Sequence, residues 1–412
     1  MNSQNILYIF IALVIFNFLF TTVLDYLNDK NWKDEIPDDL KDFYDSGTYL
    51  KAKRYKIERG RLTSISSFLN LIFTLLMLYF YGYGFISDYA ISLSDSVIVQ
   101  SSVFFMIFYL ITYILGIPFS YYSTFVIEEK FGFNKTDLKT FVIDKIKSLI
   151  MSVIFIIGLT SIAVLIIRFF SAGFWLWLWI GLSLFMLFLN MFYADLIVPI
   201  FNKLTPLEEG DLRKKIEAYS KKVGYSLKNI FVIDGSKRSS KANAFFSGLG
   251  PRKTIALFDT LIEKHTDEEL VSVLAHEVGH YKKKHVISGT ILGILETGMM
   301  LFIFNFFTSD QALFNVFGVE NVSIYCGLVL FGMLYSPVSL ITSIFTTALS
   351  RKNEFEADAY ALETTKKPEP LISMLKGLAA SNLSHLTPHP LMVFLSYSHP
   401  PVSQRINAVK NS

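Results

Sequence analysis

A chain of 412 residues that is 52% hydrophobic, 16% aromatic and only 18% charged is too apolar for a water-soluble protein of its size. The net charge of +3 is spread through the loops, where it reports topology and gives no sign of nucleic-acid binding. Cys326 is the single cysteine and lies in an apolar run, which excludes an internal disulfide and a cysteine-based metal site and leaves it as a small packing residue.

The apolar excess falls into seven runs, near residues 5–24, 64–86, 97–122, 148–170, 174–201, 287–308 and 323–348. Each reaches the roughly 20 residues needed to cross the hydrocarbon core. The first is read as a span, not a signal peptide, because Met1–Asn5 carries no basic side chain and no small-x-small cleavage site follows. Residues 26–63 hold nine Lys or Arg and residues 123–147 hold five, whereas 87–96 and 309–322 hold none. This alternation puts the N-terminus outside and the C-terminus in the cytosol. Four units follow: 1–201 with five spans, 202–286 as a cytosolic catalytic part, 287–348 with two spans, and 349–412 as a cytosolic tail.

Within 202–286, Asn229–Ile233 and Thr254–Phe258 read as short strands; Asn243–Phe246 is apolar and Ser247–Pro251 reads as a turn. They form either a hairpin that packs a helix or a sheet whose edge receives a substrate strand. Thr266 and Glu269 are spaced as a capping box, opening a helix with the apolar stripe Leu270, Val273 and Leu274. That helix carries His276-Glu277-Val278-Gly279-His280, in a chain with only 7 histidines. Two imidazoles four residues apart share one face and reach one metal ion, and the glutamate between them can take a proton from a water that the ion activates.

A catalytic zinc takes three protein ligands and keeps one position for water, so a third must come from elsewhere on the same side of the membrane. Asn353–Ala361 follows the last span and is helical in character. Glu354 and Asp358 share a face, which allows one carboxylate on the metal and the other behind a histidine, fixing its tautomer. Glu356 points away from that face. Of the remaining histidines, His285 follows three lysines as an interfacial residue, His265 is expected to be exposed, and His385 and His389 are structural. His399 and Arg405 form a basic cluster that either stabilises an oxyanion or simply opens a helix. Asp195 and Glu296 are ionisable groups within spans, expected to face an interior cavity or a partner helix.

With these elements placed, the chain resembles the type I CAAX prenyl endopeptidase family of integral-membrane zinc proteases over essentially its full length. The resemblance rests on His276–His280, Asn353–Asp358, Asn243–Gly248, and His399-Pro400-Pro401 with Arg405. It implies an all-α polytopic membrane protein whose seven helices enclose a water-filled chamber, with a small α+β zincin-like cytosolic catalytic part. It also implies one Zn2+ per chain with Glu354 as the third ligand, Glu277 as general base, and Asn243, His399 and Arg405 holding the substrate backbone and the oxyanion. The implied activity is removal of the last three residues after a prenylated cysteine. The partners are then a prenylated or other C-terminal peptide and the lipid bilayer, in the endoplasmic reticulum of a eukaryote or the inner membrane of a prokaryote. A membrane-protein quality-control protease without a prenyl requirement is the nearer rival. A non-catalytic zinc-containing scaffold or transporter is the distant one, and it would place its ligands at mid-membrane between broken helices.

Overall fold

The computed structural model describes residues 3–38, 41, 44–170, 173–225, 227, 229–247, 254–307, 311–319 and 323–412. In chain order the helices are α1 (Ser3–Lys30), α2 (Ser46–Tyr79), α3 (Gly82–Leu93), α4 (Val97–Tyr122, continued by a π-helical turn Ser123–Glu128), α5 (Leu138–Phe169) and α6 (Phe174–Leu196). They continue as α7 (Val198–Phe201), α8 (Asp211–Lys222), α9 (Asp259–Ile262), α10 (Asp267–Lys282), α11 (His285–Phe307), α12 (Gln311–Asn315) and α13 (Ile324–Thr365). The tail forms α14 (Pro368–Ser381), α15 (Pro390–Ser396) and α16 (Val402–Lys410). Among the described residues, seven helices are long and apolar enough to cross a membrane, and they carry the seven expected runs. The loops at 171–172 and 308–310 and the end of the 247–251 turn lie outside the described residues.

Two helices differ from expectation in ways that matter for the site. The second span stops at Tyr79, because Tyr81 takes a left-handed conformation and Gly84 presses on the Phe317 carbonyl, where a Cβ would stand 2.6 Å from the oxygen. At its other end α2 runs well beyond the apolar stretch, capped by Asp45 accepting from the Thr48 N–H. The boundary expected at 348/349 falls inside α13, one uninterrupted helix of 42 residues. At 1.5 Å per residue it is about 63 Å long, twice the hydrocarbon thickness. Glu354 and Asp358 therefore ride on the same rod as the seventh span.

The sheet has strands β1 (Leu204–Pro206), β2 (Asn229–Ile233), β3 (Ala244–Ser247) and β4 (Thr254–Phe258) in the order β1-β2-β4-β3. The two strands read from the sequence are not a hairpin: β2 and β4 pair in parallel, with Phe231 opposite Ala256. β4 is almost wholly buried, and β3, antiparallel to it, forms an edge. The core outside the spans joins Tyr49, Ala52 and Tyr55 of α2 to Leu270, Val273, Leu274 and Val278 of α10, Leu371 and Leu375 of α14, and Ile406 of α16. Two ion pairs tie this part to the membrane helices. Arg238 grips Asp144 of α5 with bonds of 2.7 and 2.9 Å, and Lys241 lies 2.8 Å from Glu128 and 4.4 Å over the Phe133 ring. Cavities of about 510 and 440 Å³ lie between the spans, the first apolar, the second lined by Asn17, Thr21, Ser67 and Asn70.

His385 is structural, wedged between the loop after α1 and the tail. Its ring stacks on Trp32 at 4.1 Å, Nε2 donates to the Asn28 carbonyl, and Nδ1 accepts from the Thr387 N–H. Burial lowers its pKa from 6.5 to about 4, with Lys56 adding to the effect. The folded protein thus resists a proton that the unfolded chain accepts, so the contribution is complete above pH 6.5 and is lost as pH falls toward 4. The loss amounts to about 3 kcal/mol. Melting in detergent between pH 7 and pH 4 should therefore fall more steeply for the wild type than for His385→Gln; parallel curves would contradict this. A second test concerns Gly279, whose added Cβ would lie 3.0 Å from both Cα and O of Ala357 on α13. Gly279→Ala should cost about 1–3 kcal/mol by forcing α10 and α13 apart, read as a lower melting temperature.

Candidate metal centre

The capping box forms as its spacing predicts: Glu269 Oε2 accepts from the Thr266 N–H at 2.9 Å, and Thr266 Oγ1 accepts from the Glu269 N–H. It fixes where α10 begins, and its apolar stripe fixes the rotation. His276 and His280 then face α13. His276 Nε2 stands 3.1 Å from His280 Nε2 and 3.5 Å from Glu354 Oε2, and His280 Nε2 stands 3.3 Å from Glu354 Oε1. Among the described residues these three form the group able to hold a metal ion.

Behind them, His276 Nδ1 lies 2.9 Å from Asp358 Oδ1, and Asp358 takes two hydrogen bonds of 2.7 Å from Arg405 Nε and Nη2. His276 therefore keeps its proton on Nδ1, donated to Asp358, and its lone pair on Nε2. The donor set fits a metal. Two imidazole nitrogens and a carboxylate crowd one point, and their spacings match the ~3.3 Å edge of a tetrahedron with bonds of about 2.0–2.1 Å. Glu354 Oε2 is buried without a hydrogen-bond donor of good geometry, although Arg405 Nη1 is 3.1 Å away.

Glu277 is half-buried beside these residues; burial raises its carboxyl above the usual range, opposed by the charges of His276 and His280. His399 is largely exposed, with Nε2 3.4 Å from Glu354 Oε1. Arg405 was expected beside the oxyanion. It is nine-tenths buried and committed to Asp358 and Glu354. Asn243 stands apart, exposed at the start of β3, its Oδ1 accepting from the Ala244 N–H and its carbonyl from the Phe258 N–H. Glu296 lines a cavity of about 430 Å³ with His280, His285 and Asn353 on the membrane side of the site. Asp195 is exposed near the end of α6.

Three features were not read from the sequence. His265 is buried against Gly377 of α14 and pairs with Glu269 at 3.2 Å, because the tail folds over the start of α10; the expectation of exposure fails. His285 is buried behind His280, not at an interface. Arg351, one turn before Glu354, donates to the carbonyls of Val393 and Tyr397 and so pins the segment leading to His399. A basic residue i−3 to a ligand was its one available signal.

Arg405 tests the electrostatics of the cluster. Arg405→Ala leaves Asp358 and Glu354 buried without their cation and should cost about 3 kcal/mol. Lysine should recover only part, lacking the two-pronged grip on Asp358. Melting temperatures in detergent check this; an unchanged Arg405→Ala would remove the arginine from the centre.

The comparisons with known proteins agree along the whole chain. Residues 25–203 match the family model described as CAAX prenyl protease N-terminal, five membrane helices, and residues 206–412 match Peptidase family M48. CAAX prenyl protease 1 of Saccharomyces cerevisiae is 32% identical over 95% of this chain and 92% of its own. The CAAX prenyl protease 1 homolog of Homo sapiens is 31% identical over 91% and 88%. The crystal structure of S. mikatae Ste24p superposes with a TM-score of 0.92 at 32% identity, covering 98% of this chain and 99% of that one. The chain thus belongs to peptidase family M48, in its CAAX prenyl protease branch, and is a multi-pass membrane metalloendopeptidase.

Proposed function

We propose that this enzyme is a zinc endopeptidase that cleaves near the C-terminus of prenylated CAAX-type proteins, releasing the last three residues. The observation that carries the reading is the convergence of His276, His280 and Glu354 at tetrahedral-edge spacing, with Glu277 beside them, at the mouth of a cavity between the long helices. Relatives matched over 91% and 95% of this chain are named CAAX prenyl proteases. The clustering of Lys and Arg in the loops on one side supports a cytosolic site and an outside N-terminus.

His276, His280 and Glu354 would hold one zinc per chain. The chemistry supplied by a bound zinc is Lewis-acid polarisation of the scissile carbonyl and a lowered pKa of water. Glu277 takes the proton from the attacking water and hands it to the leaving amine, a task suited to a carboxyl whose pKa is raised by burial. His399, on the exposed side of Glu354, donates to the oxyanion as charge develops. Arg405 acts one step back, orienting Asp358 and through it His276. The substrate backbone extends β3 as an added strand, with the outward Asn243 amide fixing its register.

The test is a matched pair of C-terminal peptides, one farnesylated and one not, given to purified enzyme with Glu277→Gln as blank. Cleavage of the farnesylated peptide alone is expected, with turnover in Glu277→Gln reduced about 10²–10⁴-fold at unchanged zinc content. Equal cleavage of both peptides would move the enzyme to general membrane-protein turnover, and retained turnover in the variant would remove Glu277 as the base.

A further inference from the structure

Between α10 and α11 the chain makes one unusual turn. α10 ends at Lys282, Lys284 takes φ +61°, and α11 starts at His285. The left-handed conformation costs a lysine roughly 1–2 kcal/mol, and such strain persists where the surroundings impose it. In an unbroken helix, a residue five places after His280 would point about 140° away from it. The turn at Lys284 brings His285 back instead. Its Nδ1 lies 3.1 Å from His280 Nδ1, the two rings meeting edge to face at 5.1 Å. His285 is buried, and its Nε2 lies 3.1 Å from Glu356 Oε2 on α13.

With His280 as a metal ligand, the proton positions along this line follow. His280 turns Nε2 toward Glu354 and His276, so as a ligand it needs its lone pair there and its proton on Nδ1. The Nδ1···Nδ1 contact then requires His285 to accept at Nδ1 and carry its own proton on Nε2. That proton meets the Glu356 carboxylate, the acceptor in place to receive it. Each ring nitrogen of His280 and His285 then has one partner of the correct kind, with the Glu356 carboxylate accepting at the end. His276 has the equivalent support directly from Asp358.

We propose that His285, backed by Glu356, is a positioning residue for His280, holding its tautomer and ring orientation so that Nε2 is presented to the metal. The inference rests on the metal site proposed above. Glu356, read from the sequence only as pointing away from the metal face, takes a place behind it. His285 touches His280 but is not one of the three residues at the ligand point, and it shares a cavity with Glu296.

The experiment measures zinc dissociation constants by competition with a chromogenic chelator in detergent. It compares full-length wild type with His285→Ala, Glu356→Ala, Glu356→Gln and, as reference, His280→Ala. Removal of such supporting partners weakens metal binding about 10–100-fold, the loss expected for His285→Ala. Glu356→Ala should move the same way by less. Glu356→Gln should stay near wild type, since an amide oxygen also accepts from Nε2–H. The side chain of Glu356 is 40% exposed, so its variants read the hydrogen bond without opening the core. Zinc affinity within about twofold of wild type in both His285→Ala and Glu356→Ala, with zinc lost in His280→Ala, would overturn the inference and leave the metal site standing. A loss in His285→Ala with none in Glu356→Ala would reduce His285 to packing and overturn the relay. Full affinity in His280→Ala would instead sink the metal assignment, and the inference with it.

Discussion

Gly279 lies so close to Ala357 that there is no room for a methyl group between α10 and α13, and the geometry of the centre depends on that contact. Two helices approach this closely only where one of them has no side chain to interpose. The approach puts the histidine face of α10 within ligand distance of the carboxylate face of α13. The glycine sits inside the histidine motif, so the residue that permits contact and those that use it share one helical turn. Everything else in the part outside the spans holds these two helices in register: the capping box at Thr266, the apolar stripe of α10, and α14 and α16 packed across the back.

Around that contact the charges must balance, because little water reaches them. Glu277, Glu354 and Asp358 bring three carboxylates together, and Arg405 supplies one fixed positive charge. A divalent cation at the ligand point would bring the sum to neutral, so metal and arginine are electrostatically complementary. Glu354 Oε2, buried without a hydrogen-bond donor of good geometry, is a sign of that deficit. The arginine arrives from α16, which explains why the tail packs against the catalytic core.

Much of this was legible in the sequence, and the reasons differ by element. Spans of about 20 apolar residues are set by membrane thickness, so seven runs predicted seven helices. The start of α10 was legible because capping is local chemistry within four residues. The facing of Glu354 and Asp358 followed from helical spacing. What escaped depends on contacts far apart in the chain or on one backbone angle. Arg405 meets Asp358 across 47 positions, and no periodicity marks such a partner. His265 is buried by a helix more than a hundred residues later. His285 was hidden because reading it as part of a regular helix or a basic patch gives the wrong phase, and the left-handed Lys284 resets it. The span read to 348 and the helical segment read after it are one continuous helix, and composition alone does not show that they join.

The most direct measurement is X-ray diffraction from crystals of the purified enzyme at wavelengths either side of the zinc edge. One anomalous peak per chain is predicted, about 2.0–2.2 Å from a carboxylate oxygen of Glu354 and the Nε2 atoms of His276 and His280. A peak centred between His285 and Glu356, or no peak in active enzyme, would contradict it.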